Sequence, residues 1–343
     1  MVAATQPRVS VAMPCLNEAR FVSACLRSVQ AQTYPRDRIE ILVADGTSTD
    51  GTREILAGLE AEDARICVID NPDRIQAAGL NRILAASHGD IIVRMDVHCE
   101  YDPDYVAKCV EVLARTGADN VGGAQRCRGR SSFEKAVCAA LGSPLGVGGA
   151  AYRNPANEGF VDTVFLGAYR RTVFDRIGPW DPGAITNEDA ELNQRLVMAG
   201  GRIYLSPEIV VYYAPRGSLA ALARQYYRYG RGRARTLLKH RRFLSIRPAL
   251  PFLSVAAGFV LVAALPWTNL ASYAAALAAT AFGVEAVRVG SRGGLVRVAW
   301  CLTILPTIVI SHGLGFGAGL LRYSFVPDWG RKGKPSRPAP PTA

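Results

Sequence analysis

Two aspartates follow short apolar runs: Asp45 closes IEILVA, and Asp96 closes DIIVRM. In an open parallel sheet the carboxyl ends of the strands are where ligands bind. A single such Asp is often a turn former or a helix cap, but two on neighbouring strands are more specific. The second stands in Asp96-Val97-His98. Residues two apart in an extended stretch point the same way, so both side chains can reach one divalent cation. Such a cation would neutralise a diphosphate and stabilise it as a leaving group. An ordinary hydrogen-bonded loop histidine is an equal reading of His98.

A third acidic group, Thr186-Asn187-Glu188-Asp189, precedes an apolar helical pattern. Thr186 and Asp189 have the spacing of a capping box, and one of the carboxylates can equally serve as general base on an acceptor hydroxyl. Gln225-Tyr226-Tyr227-Arg228-Tyr229 lies on a basic helical stretch. Arginine presents a planar fork of donors to a diphosphate, and an aromatic can stack on a sugar. A belt of Tyr and Arg at a membrane edge would have the same composition.

The first strand–helix turn, Pro14-Cys15-Leu16-Asn17-Glu18, has no glycine, so it is not a dinucleotide-binding fingerprint, and no Walker A motif is present. A nucleotide would have to be held by side chains and a metal.

The elements that position these residues alternate. Strands are expected at Val9–Met13, Ile39–Ala44, Arg65–Ile69 and Asp90–Met95, with helices after Phe21, at Thr52–Leu59 and at Gln76–Ala86. Apolar strands alternating with helices predict a parallel sheet covered on both faces. Asp102-Pro103 reads as a helix start and Gly117 as its end. Gly122–Asn157, rich in small residues, reads as loop lining the site. Phe160–Tyr169 reads as strand, Asn187–Ala199 as helix, and Arg202–Leu205 and Ile209–Tyr213 as short strands.

The pattern changes at Ser218. A basic helix, Leu219–Leu238, precedes three apolar segments near Ala249–Leu265, Leu270–Val287 and Leu295–Leu321. The first two run about 17–18 residues, close to the ~20 a membrane crossing needs. The net charge of +11 is concentrated in Arg224–Arg247 and Arg331–Arg337. The positive-inside rule puts the first cluster in the cytoplasm. A single crossing by the third segment would export the second cluster, so Pro306 and the glycines at 313, 315, 317 and 319 are read as turning the chain back. The basic run abuts membrane segments, which disfavours nucleic acid as a partner. The eight cysteines form no CxxC pair and read as reduced, buried thiols.

Taken in order, these residues resemble glycosyltransferase family 2, the inverting GT-A fold. MPCLNE is similar to its first-strand signature and VADGTSTDGT to its second. DVH stands at its DxD position, NED at its acceptor-base motif and QYYRY at its QxxRW element, while Phe165–Pro182 resembles the acceptor-loop region. The resemblance spans about residues 8–240 and is greatest to the succinoglycan-type (ExoA-like) exopolysaccharide glucosyltransferases.

It implies a Rossmann-like, mostly parallel sheet with helices on both faces, then transmembrane helices. The implied division is a catalytic domain over 1–217, a basic interfacial segment over 218–247, a membrane region over 248–322 and a basic Pro-rich tail over 323–343. The implied activity is inverting transfer of a hexose, glucose by subgroup, from a UDP-sugar to a polyprenyl-diphosphate-linked saccharide. Asp45 would bind the uracil, helped by Pro14, Leu16, Asn17 and Glu18. Asp96 and His98 would take the metal at the donor diphosphate, and Asp189 would be the base. Gln225 and Arg228 would close over the diphosphate or the acceptor sugar. Arg228 would serve the donor; Gln225, Tyr229 and Glu188 would serve the acceptor. His98 in place of a carboxylate adds a softer nitrogen ligand, which favours Mn²⁺ over Mg²⁺. The implied location is the plasma membrane, multi-pass, with the catalytic domain cytoplasmic. A polyprenyl-phosphate sugar synthase and an inactive membrane assembly subunit are the rival readings.

Overall fold

A computed structural model describes residues 6–147, 149–242, 244–264 and 269–329. The first half alternates as β1 (Val9–Cys15), α1 (Val22–Gln30), β2 (Ile39–Asp45), α2 (Thr52–Glu62), β3 (Ile66–Asp70), α3 (Gln76–Ala86) and β4 (Ile91–Arg94). It continues through β5 (Cys99–Tyr101), α4 (Tyr105–Thr116), β6 (Asn120–Gly123), β7 (Gln125–Cys127), α5 (Ser132–Leu141), α6 (Pro144–Val147), β8 (Gly159–Val161), β9 (Phe165–Arg170), α7 (Thr172–Ile177), α8 (Glu188–Met198), β10 (Ile203–Leu205) and β11 (Val211–Tyr213). The C-terminal part is helical: α9 (Leu219–His240), α10 (Leu250–Ala263), α11 (Leu270–Gly290) and α12 (Gly294–Phe325).

The main sheet has the order β3-β2-β1-β4-β9-β6-β10-β8, and a small sheet pairs β5, β11 and β7. β1, β2, β3 and β4 run parallel, whereas β9 is antiparallel to both β4 and β6. β1 and β4 are buried on both faces, which explains their unbroken apolar runs. On one face Val11 and Met13 pack with Leu26 and Val29 of α1. On the other, Ala12 and Leu42 pack with Leu80, Trp180 and Leu192. Cys15 pairs in register with Asp45, and Asp45 with Asp70, so these strands end together and form one carboxyl rim.

Four readings of the sequence need correction. Gly122–Asn157 is not all loop, because α5 lies inside it. Ser131 and Glu134 close a complete capping box there, an S-x-x-E signal that the small-residue content obscured. The helix expected at Asp102-Pro103 begins at Tyr105, with Asp104 at the N-cap. Not all thiols are free: Cys127 and Cys138 form a disulfide joining β7 to α5, and Cys67 is exposed rather than buried. Finally, the third apolar segment does not turn back. α12 is one 32-residue helix that runs through Pro306. Its glycines admit close neighbours instead: a side chain at Gly315 would strike the Tyr227 carbonyl, and one at Gly230 would strike that of His312.

The stretch Leu270–Phe325, containing α11 and α12, is long and apolar enough to cross a membrane. α10 has 14 residues and spans ~21 Å, short of a hydrocarbon core of ~30 Å. Val260, Leu277 and Leu295 project outward from these helices, each more than 60% exposed. The basic cluster Arg331–Arg337 lies outside the described residues.

Candidate active site

Arg94, at the end of β4, organises the site. Its side chain is 4% exposed and meets three carboxylates. Nε reaches Asp96 Oδ1 at 3.2 Å, Nη2 reaches Glu188 Oε1 at 2.8 Å, and Nη1 contacts Asp189 Oδ1. The DVH strand end and the NED helix start are thereby joined through one guanidinium. Arg94 had no role in the sequence reading. Its signal was a charge inside an apolar strand, since a buried cation must be paired.

The two carboxylates of α8 differ. Glu188 is 6% exposed and turned onto Arg94, whereas Asp189 is 21% exposed and faces the cavity. Burial is the main influence on both: it pushes Glu188 up to about 7, against the pull of Arg94, and raises Asp189 as well. Trp180, fully buried, donates its indole N–H to Asp189 Oδ1 at 3.4 Å. Asn81 of α3 clamps the Trp180 backbone from both sides, donating to its carbonyl at 2.8 Å and accepting from its N–H at 2.9 Å. Among the described residues nothing bonds Asp189 Oδ2.

The capping-box alternative for Thr186 is not realised. Asn187 occupies the N-cap in the left-handed region, φ 60°, with no side-chain cap. Thr186 Oγ1 donates instead to the Arg228 carbonyl at 3.0 Å, and Asn187 Nδ2 to the Tyr229 carbonyl at 2.9 Å. QYYRY is therefore seated directly on TNED. Gln225 donates to the hydroxyls of Tyr213 and Tyr229, and Arg228 is exposed toward the cavity.

Arg94, Glu188, Asp189, Gln225, Arg228 and Tyr229 line one cavity of about 1430 Å³, together with Gln76, Asp96 and His98. Asp96 Oδ1 also accepts from Gln76 at 3.3 Å. His98 Nδ1 is 3.8 Å from Glu18, and its ring stands edge-on to Tyr213. Three carboxylates around one guanidinium leave this corner short of positive charge. Among the described residues no cluster of three or more His, Cys, Asp or Glu forms a self-contained metal cage. Asp96 with His98 suits a divalent cation that takes its remaining ligands from phosphate oxygens and water.

Asp45 and the Pro14–Glu18 turn do not line that cavity; they form the adjoining rim. Asp45 is fully buried, accepts from the Ser48 N–H at 3.2 Å and pairs with Arg53 at 3.2 Å. Asn17 takes the left-handed conformation that a glycine would otherwise supply, and its Oδ1 accepts from the Thr49 N–H at 2.9 Å. Glu18, through its contact with His98, links this rim to the cavity.

The family model for Glycosyl transferase family 2 matches residues 10–178. The succinoglycan biosynthesis protein ExoA of Rhizobium meliloti (strain 1021) is 39% identical over 260 residues, 75% of this chain and 78% of that protein. The chain belongs to glycosyltransferase family 2. Another relative is a dolichyl N-acetyl-α-D-glucosaminyl phosphate 3-β-D-2,3-diacetamido-2,3-dideoxy-β-D-glucuronosyltransferase of Methanococcus voltae, 26% identical over 71% of this chain and 78% of that protein. The fold is also that of the mannosyltransferase PcManGT from Pyrobaculum calidifontis, solved in complex with GDP-Man and Mn²⁺. That structure aligns with a TM-score of 0.62 at 23% identity, over 92% of this chain and 88% of that one. This glycosyltransferase therefore has the GT-A architecture that its motifs implied, followed by an apolar helical region.

Proposed function

We propose that this family 2 enzyme is an inverting hexosyltransferase that moves a sugar from a UDP-sugar to a hydroxyl of a lipid-linked saccharide during exopolysaccharide assembly. One observation carries the reading. The cavity holding Asp96, His98 and Asp189 is also lined by apolar residues of α10 and α12, including Val255, Phe259 and Ile310. A water-soluble acceptor would not need that wall; a prenyl chain would. The similarity to ExoA supports the exopolysaccharide role. The relative named for a dolichyl phosphate substrate supports a lipid-linked acceptor.

Asp189 is the base. Arg94 and Trp180 hold its Oδ1, so Oδ2 is free to take the acceptor proton. The acceptor oxygen then attacks the anomeric carbon while the bond to the UDP oxygen breaks, giving inversion without a covalent intermediate. Asp96 and His98 would hold the divalent metal, Mn²⁺ over Mg²⁺, whose chemistry is to neutralise the leaving diphosphate. Arg228 faces the diphosphate, Gln225 and Tyr229 face the acceptor, and Glu188 braces Arg94 between them. The uracil lies at the Asp45 rim. Residues 1–217 are the catalytic domain and 218–247 an interfacial segment. Residues 248–322 lie in the plasma membrane as a multi-pass region with the catalytic domain cytoplasmic, followed by a basic tail.

The test uses the full chain in membranes with UDP-[¹⁴C]glucose, Mn²⁺ and a bacterial lipid extract. Label entering the butanol-soluble lipid fraction supports the reading. Nucleotide release with all label remaining water-soluble contradicts a lipid-linked acceptor.

A further inference from the structure

The cavity wall contains two guanidiniums that the transfer reaction does not use. Arg233 lies on α9, five residues beyond Arg228, which is ~7.5 Å along the helix axis and on a different face. It lines the cavity, yet among the described residues no hydrogen bond or ion pair holds it. Its neighbours show where it lies: Tyr152, Asp162, Arg247 and Tyr229 are all close enough to act on its charge. Asp162 is already taken by Arg247 at 2.7 Å, so Arg233 remains as surplus charge. Arg153 is the second. It stacks over Tyr152 and donates to the neutral Gln125, and its Nε is buried with no partner. It too has no carboxylate partner among the described residues.

A guanidinium withdrawn from bulk water is costly unless an anion meets it. Two half-buried guanidiniums lining one cavity, both beside Tyr152, form a candidate anion site. His312 of α12 lines the same cavity, and its Nδ1 is buried without a partner among the described residues. The wall beyond them is apolar: Phe259, Ile310 and Leu314 are each more than 40% exposed. Charge and hydrophobicity follow one another as in a lipid phosphate, head group then hydrocarbon.

We propose that Arg153 and Arg233 form a phosphate subsite for the head group of a prenyl diphosphate-linked acceptor, whose hydrocarbon lies against Phe259, Ile310 and Leu314. This rests on the lipid-linked acceptor reading but assigns residues and a position that reading does not. The donor diphosphate lies elsewhere, at Asp96, His98 and Arg228.

The test is binding, not turnover, so that it succeeds or fails separately from sugar transfer. The full chain in nanodiscs is titrated with farnesyl diphosphate, inorganic diphosphate and farnesol by calorimetry. Wild type is expected to bind farnesyl diphosphate most tightly. R233Q should weaken that affinity roughly tenfold or more, as expected for a lost charge-assisted contact. R233K should recover part of it, and UDP affinity in Mn²⁺, measured as a folding check, should not change. Equal affinity of wild type and R233Q for farnesyl diphosphate overturns the subsite. Inorganic diphosphate binding as tightly as farnesyl diphosphate also overturns it, in favour of a free-phosphate site. Farnesol binding as tightly as farnesyl diphosphate would show that the guanidiniums contribute nothing.

Discussion

Arg94 Nη2 lies 2.8 Å from Glu188 Oε1, tying the end of β4 to the first turn of α8. The same guanidinium reaches Asp96 and Asp189. Residues nearly a hundred positions apart are held in one corner by a single planar fork, whose fixed donor geometry also fixes the mutual placement of the carboxylates.

Removing that fork leaves three carboxylates facing one another. Breaking a buried ion pair from one side costs about 3–5 kcal/mol, so R94M is expected to lower the melting temperature and abolish transfer. R94K keeps the charge without the fork and should recover stability more than activity. Thermal melts beside transfer assays check this. R94M melting and turning over like wild type would remove Arg94 from the site.

The proposed role of His98 as a metal ligand is tested through the metal preference. H98D restores an all-oxygen pair with Asp96, which suits the harder cation, so the ratio of activity in Mn²⁺ to that in Mg²⁺ should fall. An unchanged ratio means that His98 is not a ligand.

α9 must seat closely on the NED turn. A Cβ at Gly232 would lie 2.7 Å from both Asn187 Nδ2 and Thr186 Oγ1. Alanine is the better helix former, so any loss in G232A comes from displacement of the turn. Misplacement of this kind costs roughly ten- to a hundredfold in rate. A kcat measurement on G232A, with its melting temperature as control, checks this.

Much of this arrangement was legible in the sequence. The strands of the first half announced themselves by apolar runs, α3 spans the residues expected of it, and Asp45 and Asp96 stand at or just past strand ends. What could not be read was partnership. Nothing in the local pattern of Arg94 says that it meets Glu188 and Asp189, or that Trp180 donates to Asp189, because these contacts arise only when β4, the 180 loop and α8 converge. The α12 glycines were misread for a similar reason: a glycine that bends the chain and one that admits a neighbouring backbone look alike without the neighbour. Asp45 was correctly placed on the strand rim, yet it borders the cavity rather than lining it, since Arg53 and Ser48 enclose it.

The α8–α9 contact should also be pH-sensitive. Burial alone would raise the Glu191 carboxyl, but His240, Arg195 and Lys239 overcome this and hold it at about 2. A carboxyl depressed below its unfolded value of about 4.5 stabilises the fold fully above that pH. The contribution is lost as pH falls from about 4.5 toward 2. Melting temperature should drop across this window in wild type and less steeply in E191Q. Parallel curves would show that Glu191 is not the group responsible.

The central claim is that Asp189 removes the acceptor proton, and the D189N variant tests it most directly. Its kcat, followed as Mn²⁺-dependent nucleotide release with lipid extract as acceptor, should fall by about 10²–10⁴-fold, while UDP affinity stays at the wild-type value. D189N releasing nucleotide and glycosylating lipid at the wild-type rate would contradict the account.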